Sequence, residues 1–187
     1  FRKGAPMNRL VQGDVGSGKT MVAAAAAYLA VKNGKQAALM APTEILARQH
    51  FADTEPMMRA LGIRCALLCG SMKQSEKKAV LAGLLSEDPN EKIDIVIGTH
   101  RLCGKNIKFK NLGLVIIDEE QRFGVTHKER LKEMSKGVDV LTLSATPIPR
   151  TLNMALSGIR DMSTLEEPPA DRYPVQTFVM EHNNAIL

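Results

Sequence analysis

Tryptophan is absent, and five Phe and two Tyr bring the aromatic share to only 4%. So few rings argue against a platform on which successive single-stranded bases would stack. Cysteine is scarce too: three in 187 residues do not make a disulfide framework. Cys65 and Cys69 bracket an apolar stretch and Cys103 lies near His100, without the paired spacing or fourth ligand of a zinc site. Free thiols, buried or half-buried, are the expectation. No apolar run approaches the roughly 20 residues that span a bilayer, and the start lacks the charged-then-apolar layout of a signal peptide. A cytoplasmic protein with no membrane partner is therefore expected. Internal repeats and low-complexity tracts are also missing.

What is present fits a single globular domain, with 44% apolar and 24% charged residues. The sequence starts at Phe1 rather than Met and runs through Asn183–Leu187 with no stop signal, so a piece of a longer polypeptide is expected. The net charge of +5 and isoelectric point near 9.2 are compatible with a polyanionic partner. Basic residues gather at Lys73–Lys78, Lys105–Lys110 and Lys128–Lys136, with acids interleaved in the first and last. Solvated helix and loop faces would look the same.

Short apolar runs alternate with longer amphipathic stretches, the pattern of a parallel sheet with crossover helices. Strands are expected at Arg9–Gln12, Gln36–Met40, Ile63–Leu68, Ile93–Ile97, Leu114–Ile117 and Val138–Leu143. Leu114–Ile117 is the most apolar run and should be central, buried on both faces. Helices are expected over Thr20–Asn33, from Pro42-Thr43 toward Leu61, over Lys73–Ser86, and from Pro147 toward Leu156. From Pro168-Pro169 the texture changes to a linker, with a further strand at Val175–Met180.

Gly13-Asp14-Val15-Gly16-Ser17-Gly18-Lys19-Thr20 matches the G-x-x-x-x-G-K-[ST] phosphate loop in full, between an expected strand and an expected helix. Its glycines let the backbone curl so that successive N–H groups face phosphate oxygens at a helix N-terminus. Lys19 would reach the β- and γ-phosphates, and Thr20 would offer its hydroxyl to Mg²⁺. Gly13, Gly16, Ser17, Gly18, Lys19 and Thr20 are thus candidate ATP-binding residues.

Asp118-Glu119-Glu120-Gln121 directly follows the most apolar strand, on the same carboxyl edge of a parallel sheet. Asp118 suits a Mg²⁺ ion held through its water shell, and Glu119 suits orienting and deprotonating an attacking water. An acidic helix start would also favour carboxylates there.

Around these two sites the chain resembles superfamily 2 helicases. Ala41-Pro42-Thr43-Glu44-Ile45-Leu46-Ala47 is similar to motif Ia, and Gly98-Thr99-His100 to a later DNA-contacting motif. Asp118–Gln121 is similar to motif II, and Ser144-Ala145-Thr146 to motif III. The resemblance implies an N-terminal RecA-like P-loop NTPase lobe over residues 1–167, followed by a linker at 168–187 toward a second RecA-like lobe. It implies Lys19, Asp118, Glu119 and Gln121 as the catalytic set. Pro42, Thr43, Gly98, Thr99 and His100 would contact nucleic acid, by grips that position without reading sequence. Ser144 and Thr146 would couple the nucleotide state to that grip, through Gln121. Singly, these motifs also read as a capped helix start, a strand end and a strand-to-helix turn.

Thr146-Pro147-Ile148-Pro149-Arg150-Thr151-Leu152 and Arg122-Phe123-Gly124-Val125 resemble the branch holding the fork-remodelling helicase RecG and the transcription-repair coupling factors. Val11–Gly18 and Leu39–Leu46 look like the former. His127–Arg130, Asn153–Ser163, Arg172–Thr177 and Glu120-Gln121 look more like the latter, toward which the reading leans. What this implies is a double-stranded DNA translocase in repair, with RNA polymerase as a possible partner. An RNA helicase lobe, or a nucleotide-dependent switch without turnover, stays open as an alternative.

Overall fold

The computed structural model describes residues 6–104, 106–145 and 161–165. The helix expected from Pro147, the linker at 168–187 and the strand at Val175–Met180 lie outside the described residues.

The apolar runs become strands β1 (Asn8–Gly13), β2 (Gln36–Met40), β3 (Cys65–Leu68), β4 (Ile95–Gly98), β5 (Leu112–Asp118) and β6 (Asp139–Ser144), joined by β7 (Asp161–Leu165). They form one sheet of order β3-β4-β2-β5-β6-β1-β7, and every neighbouring pair is parallel. The most apolar run does occupy the middle, with Leu114, Val115, Ile116 and Ile117 at most 1% exposed.

Successive side chains of a strand face opposite ways, and the two faces are covered by different helices. Helices α1 (Lys19–Lys32) and α2 (Glu44–Ala60) lie over one face. There Ala23, Ala24, Ala27 and Ala30 of α1 and Met58 of α2 join Leu39, Leu114 and Ile116. Alanine on that stripe lets α1 approach the sheet closely. On the other face, α3 (Gln74–Gly83) and α4 (Val125–Met134) bring Leu84 and Leu131 against Ala38, Val96, Val115 and Ile117. The expected α/β architecture, a parallel sheet with helices on both faces, is what forms.

Local signals act as expected at α2, where Thr43 has extended backbone and its Oγ1 accepts from the Leu46 amide at 3.3 Å. Far from that end of the sheet, Gln36 is 3% exposed. Its Nε2 donates to the carbonyls of Leu84 (2.9 Å) and Ile93 (2.8 Å), and its Oε1 accepts from the Asn111 amide at 3.0 Å. One side chain thereby ties together the entries to β2, β4 and β5.

One described α-helix and one described strand have no counterpart in the sequence reading. The dense charge of Lys128–Lys136 hid α4, which brings the buried Leu131 and the half-buried Met134 to the core. Strand β7 is short, polar and half-exposed, and it pairs with β1 at the margin of the described sheet. Among the described residues no helix is long and apolar enough to cross a membrane.

Candidate nucleotide and nucleic-acid site

Because all strands run parallel, their carboxyl ends share one edge, where ligands bind in open α/β sheets. Along that edge stand Gly98 of β4, Met40 of β2, Asp118 of β5, Ser144 of β6 and Gly13 of β1, in that spatial order. Candidate nucleic-acid residues therefore lie toward one side and candidate nucleotide residues toward the other.

The phosphate loop leaves β1 and enters α1 with Gly16 (φ 84°) and Gly18 (φ 88°) in the left-handed region, which side chains other than glycine avoid. At Gly13 the constraint is space: a Cβ would sit 2.5 Å from Ser17 Oγ and 3.0 Å from Leu165 Cβ. No acidic residue occupies the first turn of α1, so no carboxylate of the helix competes for its N-terminal N–H groups. Ser17 Oγ is buried without a hydrogen-bond partner, and Lys19 Nζ donates to the Gly13 and Asp14 carbonyls at 2.6 Å each. An orphaned hydroxyl and an ammonium folded over its own loop fit a phosphate-bearing ligand. Thr20 follows, half-buried, in the first turn of α1.

Asp118 ends β5 at 9% exposure, and its Oδ2 lies 2.8 Å from His50 Nε2 of α2. Glu119 is the sole non-glycine with positive φ among the described residues, at 52°, a conformation costing about 1–2 kcal/mol. Three contacts hold it there. Its amide donates to the Leu143 carbonyl at 3.0 Å, its Oε1 accepts from the Ala145 amide at 2.9 Å, and the Gln121 side-chain amide donates to its Oε2. Motifs II and III thus touch directly, through the Ala145 backbone and Glu119. Ser144 is buried beside this contact; Thr146 lies outside the described residues.

On the other side, Pro42 is half-buried and Thr43 exposed at the start of α2. Gly98 is boxed in, since a Cβ would lie 2.4 Å from the Leu68 carbonyl oxygen. Thr99 is buried. His100 stacks on His127 with ring centroids 4.0 Å apart. Burial first, then the neighbouring His127 and Arg101, push the His100 imidazole below its usual pKa.

The cysteines are free, and burial pushes Cys65 and Cys103 up to about 12 and about 11. No group of three or more His, Cys, Asp or Glu among the described residues could hold a metal. His50 was not singled out from sequence. Its signal was a polar residue on the stripe Ala47, His50, Thr54, Met58, the buried face of α2.

A phosphate loop and paired acidic residues on the carboxyl edge of a parallel sheet define a RecA-like, P-loop nucleotide-binding lobe. The chain belongs to the DEAD/DEAH box helicase family, whose model matches residues 3–155. It is 52% identical over 182 residues to the transcription-repair-coupling factor of Bacillus subtilis, covering 97% of this chain and 15% of that protein. It is 51% identical over 187 residues to the same factor of Staphylococcus epidermidis, covering 100% and 16%. The chain therefore spans about one-sixth of the length of these relatives. Among solved structures, RecG bound to a three-way DNA junction superposes with a TM-score of 0.73 at 46% identity, over 89% of this chain and 22% of that one. A DEAD box protein from Methanococcus jannaschii shares the fold, with a TM-score of 0.62 at 23% identity, over 84% and 44%. The lean toward the coupling factors agrees with these curated relatives.

Proposed function

We propose that this chain is the ATP-binding motor lobe of an ATP-dependent double-stranded DNA translocase that acts in transcription-coupled repair. The observation that carries the reading is the shared edge. Phosphate loop, Asp118-Glu119 and the β6 end stand side by side there, with Pro42-Thr43 and Gly98-Thr99 on the adjoining strands.

In this reading Lys19 leaves the loop carbonyls for the β- and γ-phosphates, and Ser17 and the loop amides take the remaining phosphate oxygens. Thr20 and Asp118 hold the water shell of Mg²⁺, which when bound neutralises charge on the transferring phosphoryl group. Glu119 orients the attacking water and takes its proton. Gln121, which already contacts Glu119, reports the nucleotide state to Ser144 and Thr146. Pro42, Thr43, Gly98, Thr99 and His100 grip strand phosphates without reading bases.

A second RecA-like lobe supplies an arginine finger and half of the DNA track. The lobe alone accordingly binds ATP weakly and turns it over very slowly; brisk DNA-stimulated turnover by it would contradict this. The complete polypeptide, given ATP, is tested on a stalled RNA polymerase elongation complex and on a model replication fork. Release of the polymerase supports the coupling-factor reading and RNA polymerase as partner. Fork regression without release selects the RecG-like alternative, in keeping with the likeness to the junction-bound RecG. Acting on transcribed DNA places the protein in the cytoplasm.

A further inference from the structure

We propose that His50 is a positioning residue of the nucleotide site, one that fixes the Asp118 carboxylate and ties it mechanically to the nucleic-acid-gripping end of α2. The inference rests on the reading of Asp118 as the carboxylate that holds the ion's water shell.

Helix α2 buries Ala47, His50, Thr54 and Met58 against the sheet. A histidine on such a face is costly unless its ring nitrogens find partners. His50 is 8% exposed and Asp118 9%, and Nε2 stands 2.8 Å from Oδ2. A carboxylate can only accept, so the nitrogen facing it carries the proton and donates. Among the described residues no Lys or Arg pairs with Asp118; the side chain that meets its carboxylate is His50. That bond engages Oδ2 and restricts rotation of the carboxylate, which sets where Oδ1 points. Partners of this kind orient metal-binding groups and tune their affinity.

The same bond crosses between the two sides of the edge. Thr43 caps α2 and stands seven positions before His50, about 10 Å along a helix rising 1.5 Å per residue. A helix of that length moves as a rod. When a strand phosphate draws the Pro42-Thr43 end, the His50 donor shifts relative to Asp118, and the carboxylate follows. Engagement of duplex and strength of Mg²⁺ holding are then linked, and by thermodynamic necessity reciprocally.

The test uses the complete polypeptide with His50→Asn and His50→Gln. Both keep a polar amide; glutamine reaches about as far as Nε2, and asparagine falls one methylene short. A fluorescent ATP analogue is bound at equilibrium across a Mg²⁺ titration, with and without duplex DNA, and melting temperatures are measured alongside. His50→Asn is expected to raise the Mg²⁺ half-saturation about tenfold, with His50→Gln within about twofold of wild type. Binding without metal should be equal in all three. Duplex should shift the half-saturation in wild type and His50→Gln but not in His50→Asn. The proposal is overturned if His50→Asn titrates like wild type. It is also overturned if both variants are equally impaired with equal loss of melting temperature, which marks a packing role only. Asp118→Asn separates the two layers. If it leaves the titration unchanged, the assignment of Asp118 fails and takes His50 with it; if it abolishes the Mg²⁺ response while His50→Asn does not, only His50 is wrong.

Discussion

The middle of the sheet and its carboxyl edge are a few residues apart on each strand, yet they obey different rules. In the middle, Leu114–Ile117 are sealed from water, and at the strand entries the buried Gln36 has a partner for both ends of its amide. At the edge, Ser17 Oγ is buried without a partner and Lys19 is folded onto loop carbonyls. Glu119 is held in a left-handed backbone, and Val15 is 74% exposed. The interior satisfies its groups internally; the edge leaves groups that a ligand would satisfy. Local strain and unmet polar atoms concentrate where function is expected. Thr142 Oγ1 in β6 and His127 Nδ1 in α4, both buried without a partner, depart from this rule, and nothing in the described residues accounts for them.

The sharpest way to break this contrast is Glu119→Gln in the complete polypeptide. The amide keeps the shape but cannot take a proton from water. Turnover should fall about 10²–10⁴-fold, while the melting temperature stays near wild type and ATP remains bound. If turnover survives, Glu119 is not the base, and its strained backbone needs another explanation. The mirror experiment is Ile116→Ala, one strand position pair inward. It should lower the unfolding free energy by about 2–5 kcal/mol and leave nucleotide affinity of the folded fraction unchanged. Denaturant titration with a binding isotherm checks both halves.

The same contrast explains what the sequence disclosed. Strands rich in Val, Ile and Leu were readable because burial on both faces leaves a continuous apolar run. The phosphate loop and Asp118-Glu119 were readable because their chemistry needs particular residues at fixed spacing. Helix α4 was not, since most of its residues are charged or polar and its apolar face is narrow. Strand β7 was not, because an edge strand with one buried neighbour needs no apolar alternation. His50 escaped because its meaning lies in Asp118, 68 positions away. Gln36 was placed in a strand but not as a tie, for the same reason.

Gln36→Leu probes the interior's rule that polar groups be paired. The substitution keeps bulk but strands the carbonyls of Leu84 and Ile93 and the amide of Asn111. With both bonds to the carbonyls buried, the loss should be about 1–3 kcal/mol. A change below about 0.5 kcal/mol would mean the tie is replaceable, because a single well-made hydrogen bond nets about that much.

The smallest effect is expected at the margin of the sheet, at Arg9→Ala. Arg9 Nη2 lies 3.2 Å from Asp161 Oδ2 and Nη1 donates to Ser163 Oγ at 2.7 Å, linking β1 to β7 through side chains. The pair is open to water, with side chains 39% and 67% exposed, so it should contribute under about 1 kcal/mol and less as salt is raised. What holds β7 is the parallel ladder from Arg9↔Asp161 to Gly13↔Leu165, together with Leu165 packed against the core. Arg9→Ala should therefore leave β7 in place and the phosphate loop intact, since Leu165 still backs Gly13. A loss above about 2 kcal/mol, beyond what an exposed pair supplies, would show that the guanidinium sets the register of β7. The margin of the sheet would then follow the edge's rule of specific polar contacts rather than the interior's rule of burial.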